Sequence, residues 1–173
     1  MATAIILGGG KTVLQEYEQA KKLCKPDIII CVNDIGCEIK ECDIWATLHP
    51  EKLGAWISKR NDNGYKLPEK IVSFKRVEYV NTILDYRWTG SSGSGSSGLF
   101  AVKTALSLGY NKIVLCGVPI NKESHYFSSK AWSECDSFSG TWREQQGILK
   151  KYVRSMSGYT RNLLGYPDQA FFE

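Results

Sequence analysis

Two glycine-bearing corners hold most of the chemistry open to this sequence. The first is Gly8-Gly9-Gly10-Lys11-Thr12, which follows the short apolar run Ala4–Leu7. Glycines at a strand end let the backbone approach a ligand closely. A helix starting beyond them offers free N–H groups to an anion. The residues match neither GxGxxG, whose third glycine is missing, nor the GxxxxGK[ST] phosphate loop. A tight strand-to-helix turn with no ligand accounts for the same residues. The second corner is the run Gly90–Gly98, GSSGSGSSG, which abuts the apolar segment Leu99–Leu108. By composition it is a flexible linker. Its direct entry into a core helix favours a different role, in which Ser96, Ser97 and Gly98 present hydroxyls and amides at a helix N-terminus.

Four further residues are candidates. Asn33 and Asp34 follow the strongly apolar run Asp27–Val32. Ligands of open α/β sheets lie outside the carboxyl ends of the strands. There, an Asn amide reads a base or ribose and an Asp accepts from ribose hydroxyls, although both residues also favour plain turns. The 2 histidines are His49 and His125. Histidine is the natural general base near neutral pH. His125, in the irregular stretch Ser124-His125-Tyr126-Phe127, is the stronger catalytic candidate because scaffolded loops carry function. Glu123, Glu134 and Asp136 lie near it in sequence but show no metal-site spacing. The 6 cysteines include no CxxC pair, so no structural zinc site is expected. Cys31 and Cys116 sit inside apolar runs and read as buried small hydrophobes.

The elements that must position these residues follow from apolar spacing. Ala4–Leu7, Asp27–Val32, Asp43–Leu48, Lys70–Phe74 and Lys112–Cys116 read as strands. Val13, Leu14, Tyr17, Ala20 and Leu23 have helical spacing, with Thr12 as an N-cap. Helices are also expected over Glu51–Lys59, Leu99–Leu108 and Thr141–Met156. Val77–Tyr86 fits either a strand or a short helix. Residues 120–140 read as an irregular, lid-like segment. Strands alternating with helices give an α/β fold with a mostly parallel sheet, a Rossmann-like three-layer sandwich. A length of 173 residues suits one nucleotide-binding domain spanning 1–173.

The net charge of +4 is mild, and Lys and Arg are dispersed, so there is no strong nucleic-acid stripe. No apolar run approaches the ~20 residues that span a bilayer, and the N-terminus lacks the basic and long apolar regions of a signal peptide. A cytoplasmic setting without a membrane partner is expected. An exposed sheet edge is compatible with a homo-oligomer, and nothing in the sequence demands one.

The stretch Ser96–Ile120, SSGLFAVKTALSLGYNKIVLCGVPI, resembles the matching segment of bacterial sialyltransferases of glycosyltransferase family 42. It also resembles 6-hydroxymethylpterin diphosphokinase-like domains. Ala4–Thr12 and Ile28–Asp34 resemble the first two strands and nucleotide turns of the same families. In size, and in GSSGLFAVK, IVLCGVP and SHYF, the chain is similar to short bacteriophage and prophage proteins of unknown activity called norphogenetic proteins. The resemblance implies a Rossmann-like domain holding a cytidine-type nucleotide or nucleotide-sugar at Gly8–Gly10, Asn33, Ser97 and Gly98. It also implies His125 as general base of a sialyltransferase-like reaction. Alternatives are a non-catalytic phage protein that sequesters a nucleotide or acts in assembly, and a pterin-type phosphotransferase. The chain departs from the family at Gly9 and Lys11 in the first turn, and His49 stands where an Asn is expected. Few residues separate Ile120 from His125, so the family's long lid is largely missing.

Overall fold

The computed structural model describes all residues from Met1 to Glu173. In chain order the elements are β1 (Thr3–Leu7), α1 (Val13–Leu23), β2 (Ile28–Val32), β3 (Ile44–Ala46), α2 (Leu53–Asp62), β4 (Lys70–Ser73) and β5 (Thr82–Ile83). There follow α3 (Ser96–Ser107), β6 (Lys112–Cys116), α4 (Cys135–Glu144), α5 (Gln146–Tyr152), β7 (Val153–Ser155), α6 (Gly158–Leu164) and α7 (Gln169–Phe172). The strands form one 7-stranded sheet in the order β5-β4-β3-β2-β1-β6-β7. Every pairing is parallel. The fold class is therefore α/β and Rossmann-like, as expected. The chain winds outward from β1 to β5 and then returns to lay β6 against the other side of β1. The strand order reverses between β1 and β6, where ligands of such sheets bind.

Parallel strands covered on both faces read as unbroken apolar runs. Alternate residues of β1 show why. Ala4 and Ile6 join a core with Leu99, Phe100 and Val102 of α3, Trp142 of α4 and Leu149 of α5. Ile5 and Leu7 join a second core with Val13, Tyr17 and Ala20 of α1 and Leu53 and Ile57 of α2. Two cores on opposite faces of one sheet make the three layers. No helix is long and apolar enough to cross a membrane.

Several expected elements differ. The helix expected over Thr141–Met156 is broken at Gln145, and its last part is the strand β7, paired through Val153, Arg154 and Ser155 with Ile113, Val114 and Leu115. Extended geometry suits the β-branched Val153, which is fully buried there. The irregular segment ends at Glu134 rather than near 140, because α4 turns Cys135, Thr141 and Trp142 inward. Val77–Tyr86 yields only the two-residue strand β5. Thr12 makes no capping bond to α1. Its hydroxyl donates instead to the Glu16 carboxylate.

Candidate functional site

A cleft with about 590 Å³ of empty space, partly open to solvent, lies at the carboxyl ends of β1 and β6. Gly8, Gly9 and Gly10 form one side, and Gly117 to Asn121 face them. Asn33 and Asp34, and Ser96 and Gly98, also line it. Glu123, Ser124, His125 and Trp132 cover the opening.

The glycines serve two purposes. A Cβ on Gly8 would stand 2.5 Å from the Gly117 carbonyl oxygen, and one on Gly10 would stand 2.8 Å from it. The Gly8 N–H donates to the Cys116 carbonyl at 2.8 Å and the Gly10 N–H to the Gly117 carbonyl at 2.7 Å. These two glycines let the turns after β1 and β6 touch backbone to backbone. Gly9 is different. A Cβ there meets nothing nearer than 3.9 Å, and the nearest groups are the Asp34 carboxylate and the His125 ring. Gly9 is the open floor of the cleft.

The Asn33 stretch is a 3₁₀ turn, Asn33–Cys37. Its Gly36 lies flat against the Trp45 indole, where a Cβ would sit 2.3 Å from the ring. The Trp45 indole N–H donates to the Asn33 carbonyl at 2.6 Å. The Asn33 side-chain oxygen accepts the Thr47 hydroxyl at 2.8 Å, which turns the amide N–H₂ toward other partners. Arg60, 1% exposed, holds the following loop. Its guanidinium donates to the carbonyls of Gly36, Ile39, Lys40 and Lys66.

The serine-glycine run is ordered. The Trp142 indole N–H donates to the Gly95 carbonyl at 2.7 Å. The Gln145 amide donates to the Thr89 carbonyl and the Ser91 hydroxyl, at 3.0 and 2.7 Å. The run is thus fastened along α4 before entering α3 at Ser96, and it is no flexible linker. Gly98 packs under Val118, whose methyl would stand 2.7 Å from a Cβ.

His125 comes from a flap. The Tyr126 N–H donates to the Gly9 carbonyl at 2.8 Å, and the Trp132 N–H to the Lys122 carbonyl at 3.2 Å. Antiparallel bridges join His125 to Gly10 and Ser124 to Ala131. The Trp132 ring lies 5.1 Å from the His125 ring.

No lysine or arginine lines the cleft. Within the lining, only helix ends and amides can supply positive potential. At α1 that potential is met internally. Glu16, in the first turn and buried, accepts the Thr12 hydroxyl and, at 2.7 Å, the Gly117 N–H. The first turn of α3 carries no acidic residue, and only its Ser96 N–H is met by a side chain, the Ser94 hydroxyl at 3.3 Å. Burial raises the Asp34 carboxyl above its usual range, and His125, Lys59 and Lys52 partly offset this. Burial also raises the thiols of Cys31, Cys37 and Cys116, that of Cys37 to about 11. No cysteine lines the cleft.

Backbone strain concentrates here. The non-glycine residues with positive φ are Asn33 (55°), Tyr79 (71°), Ser96 (84°) and Ile120 (47°). All but Tyr79 line the cleft. A β-branched residue such as Ile120 rarely adopts this conformation, and such strain gathers at ligand sites.

The structure thus brings Gly8, Gly9, Gly10, Asn33, Asp34, Ser96, Gly98 and His125 into one cavity. Two expected residues stand outside it. His49 is half-exposed, with Nδ1 3.4 Å from a Glu51 carboxylate oxygen. It immediately precedes the 3₁₀ turn Pro50–Lys52, and its ring turns to Glu51 in that turn. Ser97 is buried behind the wall, where its hydroxyl accepts the Leu48 N–H at 3.2 Å. Gly117–Asn121 and Trp132 also line the cleft, although no motif marks them in the sequence. A glycine ending an apolar strand at Gly117, as at Gly8, was the available signal for the first. Comparison of the chain with protein-family models, with curated proteins and with solved structures finds no match.

Proposed function

We propose that the cleft binds a nucleotide or nucleotide-sugar and that His125 serves as general base in a glycosyl transfer or donor hydrolysis. The observation that carries this reading is the meeting of Gly9, the start of α3 and His125 in one cavity where the strand order reverses. The phosphate rests on the amides at the start of α3 that follow Ser96, whose own N–H is met by the Ser94 hydroxyl. That end lacks an acidic residue, whereas Glu16 already meets the N-terminal potential of α1. This differs from the expectation that Gly8–Gly10 cradle the phosphate directly: two of those N–H groups are bonded within the protein. In this reading the Asn33 amide contacts the ribose or base.

A second reading, binding without turnover, draws support from the absence of any lysine or arginine to stabilise a leaving phosphate. Thermal shift with CMP, CDP, CTP, GTP and UDP, followed by hydrolysis of a cytidine nucleotide-sugar, tests both. The expected result is a clear shift with cytidine nucleotides and a turnover loss of about 100-fold or more in His125→Ala. A shift without turnover favours the second reading. No shift with any nucleotide removes both.

A further inference from the structure

We infer that the cleft floor beside Gly9 is the subsite of the attacking hydroxyl, held between Asp34 and His125. This deepens the proposed transfer reaction and rests on it.

The geometry is specific to this point. The Asp34 Oδ1 and the Cγ–Nδ1 edge of the His125 ring each lie 3.9 Å from the position a Gly9 Cβ would take. They flank the same spot, yet no hydrogen bond or ion pair joins them directly. The gap suits one water that donates an O–H to each, or a sugar hydroxyl that donates to His125 and lies against Asp34. Both groups are held from behind. Asp34 sits in the 3₁₀ turn secured by Trp45 and Arg60. His125 sits on the flap bridged to Gly10, under Trp132. The other charged groups facing Asp34 are Lys52 and Lys59 from the α2 side, and Glu123 shares the cleft rim. Only His125 among these is a base suited to neutral pH.

The hydroxyl O–H breaks and its proton passes to the His125 imidazole. The hydroxyl oxygen forms a bond to the anomeric carbon of the donor sugar. The bond from that carbon to the phosphate oxygen breaks, and its electron pair leaves on the nucleotide phosphate at the start of α3. Where the nucleophile is water, its second O–H donates to Asp34; where it is a sugar hydroxyl, its single proton goes to His125 and Asp34 only balances the imidazolium charge. This gives Asp34 a catalytic role in place of the ribose contact expected from sequence.

Gly9→Ala is the sharpest probe. Its methyl would make ordinary contacts at 3.9 Å and would fill the gap without disturbing either side chain. A high-resolution crystal structure of the wild type should show an ordered water within hydrogen-bond reach of both Asp34 and His125, and Gly9→Ala should displace it. CMP affinity should change by less than about threefold in Gly9→Ala and Asp34→Asn, while hydrolysis of a cytidine nucleotide-sugar falls by about 100-fold. Asp34→Asn combined with His125→Ala should be little worse than either alone, since groups acting as a unit are not additive. A wild-type structure with no solvent oxygen between the two groups overturns the inference, with or without nucleotide binding. A tenfold loss of CMP affinity in Asp34→Asn with unchanged turnover of bound donor also overturns it and returns Asp34 to the ribose. If the water is present but no nucleotide binds, the nucleotide reading fails and the paired-group subsite stands.

Discussion

The indole N–H of Trp142 donates to the carbonyl of Gly95 at 2.7 Å, joining a fully buried tryptophan of α4 to the serine-glycine run. That one bond aligns the run with the start of α3. Trp142→Phe keeps most of the ring volume but leaves the Gly95 carbonyl without its donor. The expected cost is about 1–3 kcal/mol in urea unfolding, together with weaker nucleotide binding. Full stability with full binding would show that the run holds its shape without α4.

Gly8 and Gly9 are adjacent but differ in what they tolerate. Gly8→Ala forces a methyl to within 2.5 Å of the Gly117 carbonyl oxygen. Because backbone on both sides must shift, a loss of about 2 kcal/mol or more is expected. Gly9→Ala should stay within about 0.5 kcal/mol of wild type. Thermal melts of the two variants check the contrast. Equal losses would mean that Gly9, too, is a packing glycine.

Arg60 has no carboxylate partner in its buried site, and its charge is met by four backbone carbonyls. Arg60→Met leaves those carbonyls without donors and should cost about 3 kcal/mol or more. Arg60→Lys should not restore it, because a compact ammonium cannot reproduce the planar fork. Denaturant unfolding measures both variants. Rescue by lysine would show that charge alone holds the loop carrying Asn33 and Asp34.

Asp34 links stability to pH. Burial raises its carboxyl in the folded protein, so folding favours the protonated form. Below the ordinary carboxyl range both folded and unfolded chains hold the proton, and the residue has no effect. As pH rises through the raised value, the folded state must carry a half-buried charge that the unfolded chain solvates. Asp34→Asn should therefore raise the melting temperature at about pH 7 and bring no gain at about pH 3. A loss at neutral pH would mean that the positive charges around Asp34 outweigh burial.

The sequence alone determined the layered architecture. Unbroken apolar runs such as Ala4–Leu7 and Lys112–Cys116 can be satisfied only by strands buried on both faces. Such strands need helices between them, and these are written in the spacing of Val13, Tyr17 and Ala20. A glycine after the first strand and a serine-glycine helix start also marked two walls of the cleft, because backbone proximity is a local requirement that local composition records. Only the tertiary structure decided what those residues do together. That Gly8 and Gly10 answer to Gly117 while Gly9 faces the cavity depends on a pairing across more than a hundred residues of chain. The removal of His49 and Ser97 from the site, the buried charge of Arg60, and the approach of His125 to Asp34 through a flap on Gly9 have the same origin. Each is a through-space relation between segments distant in sequence, and neither spacing nor periodicity carries a record of it.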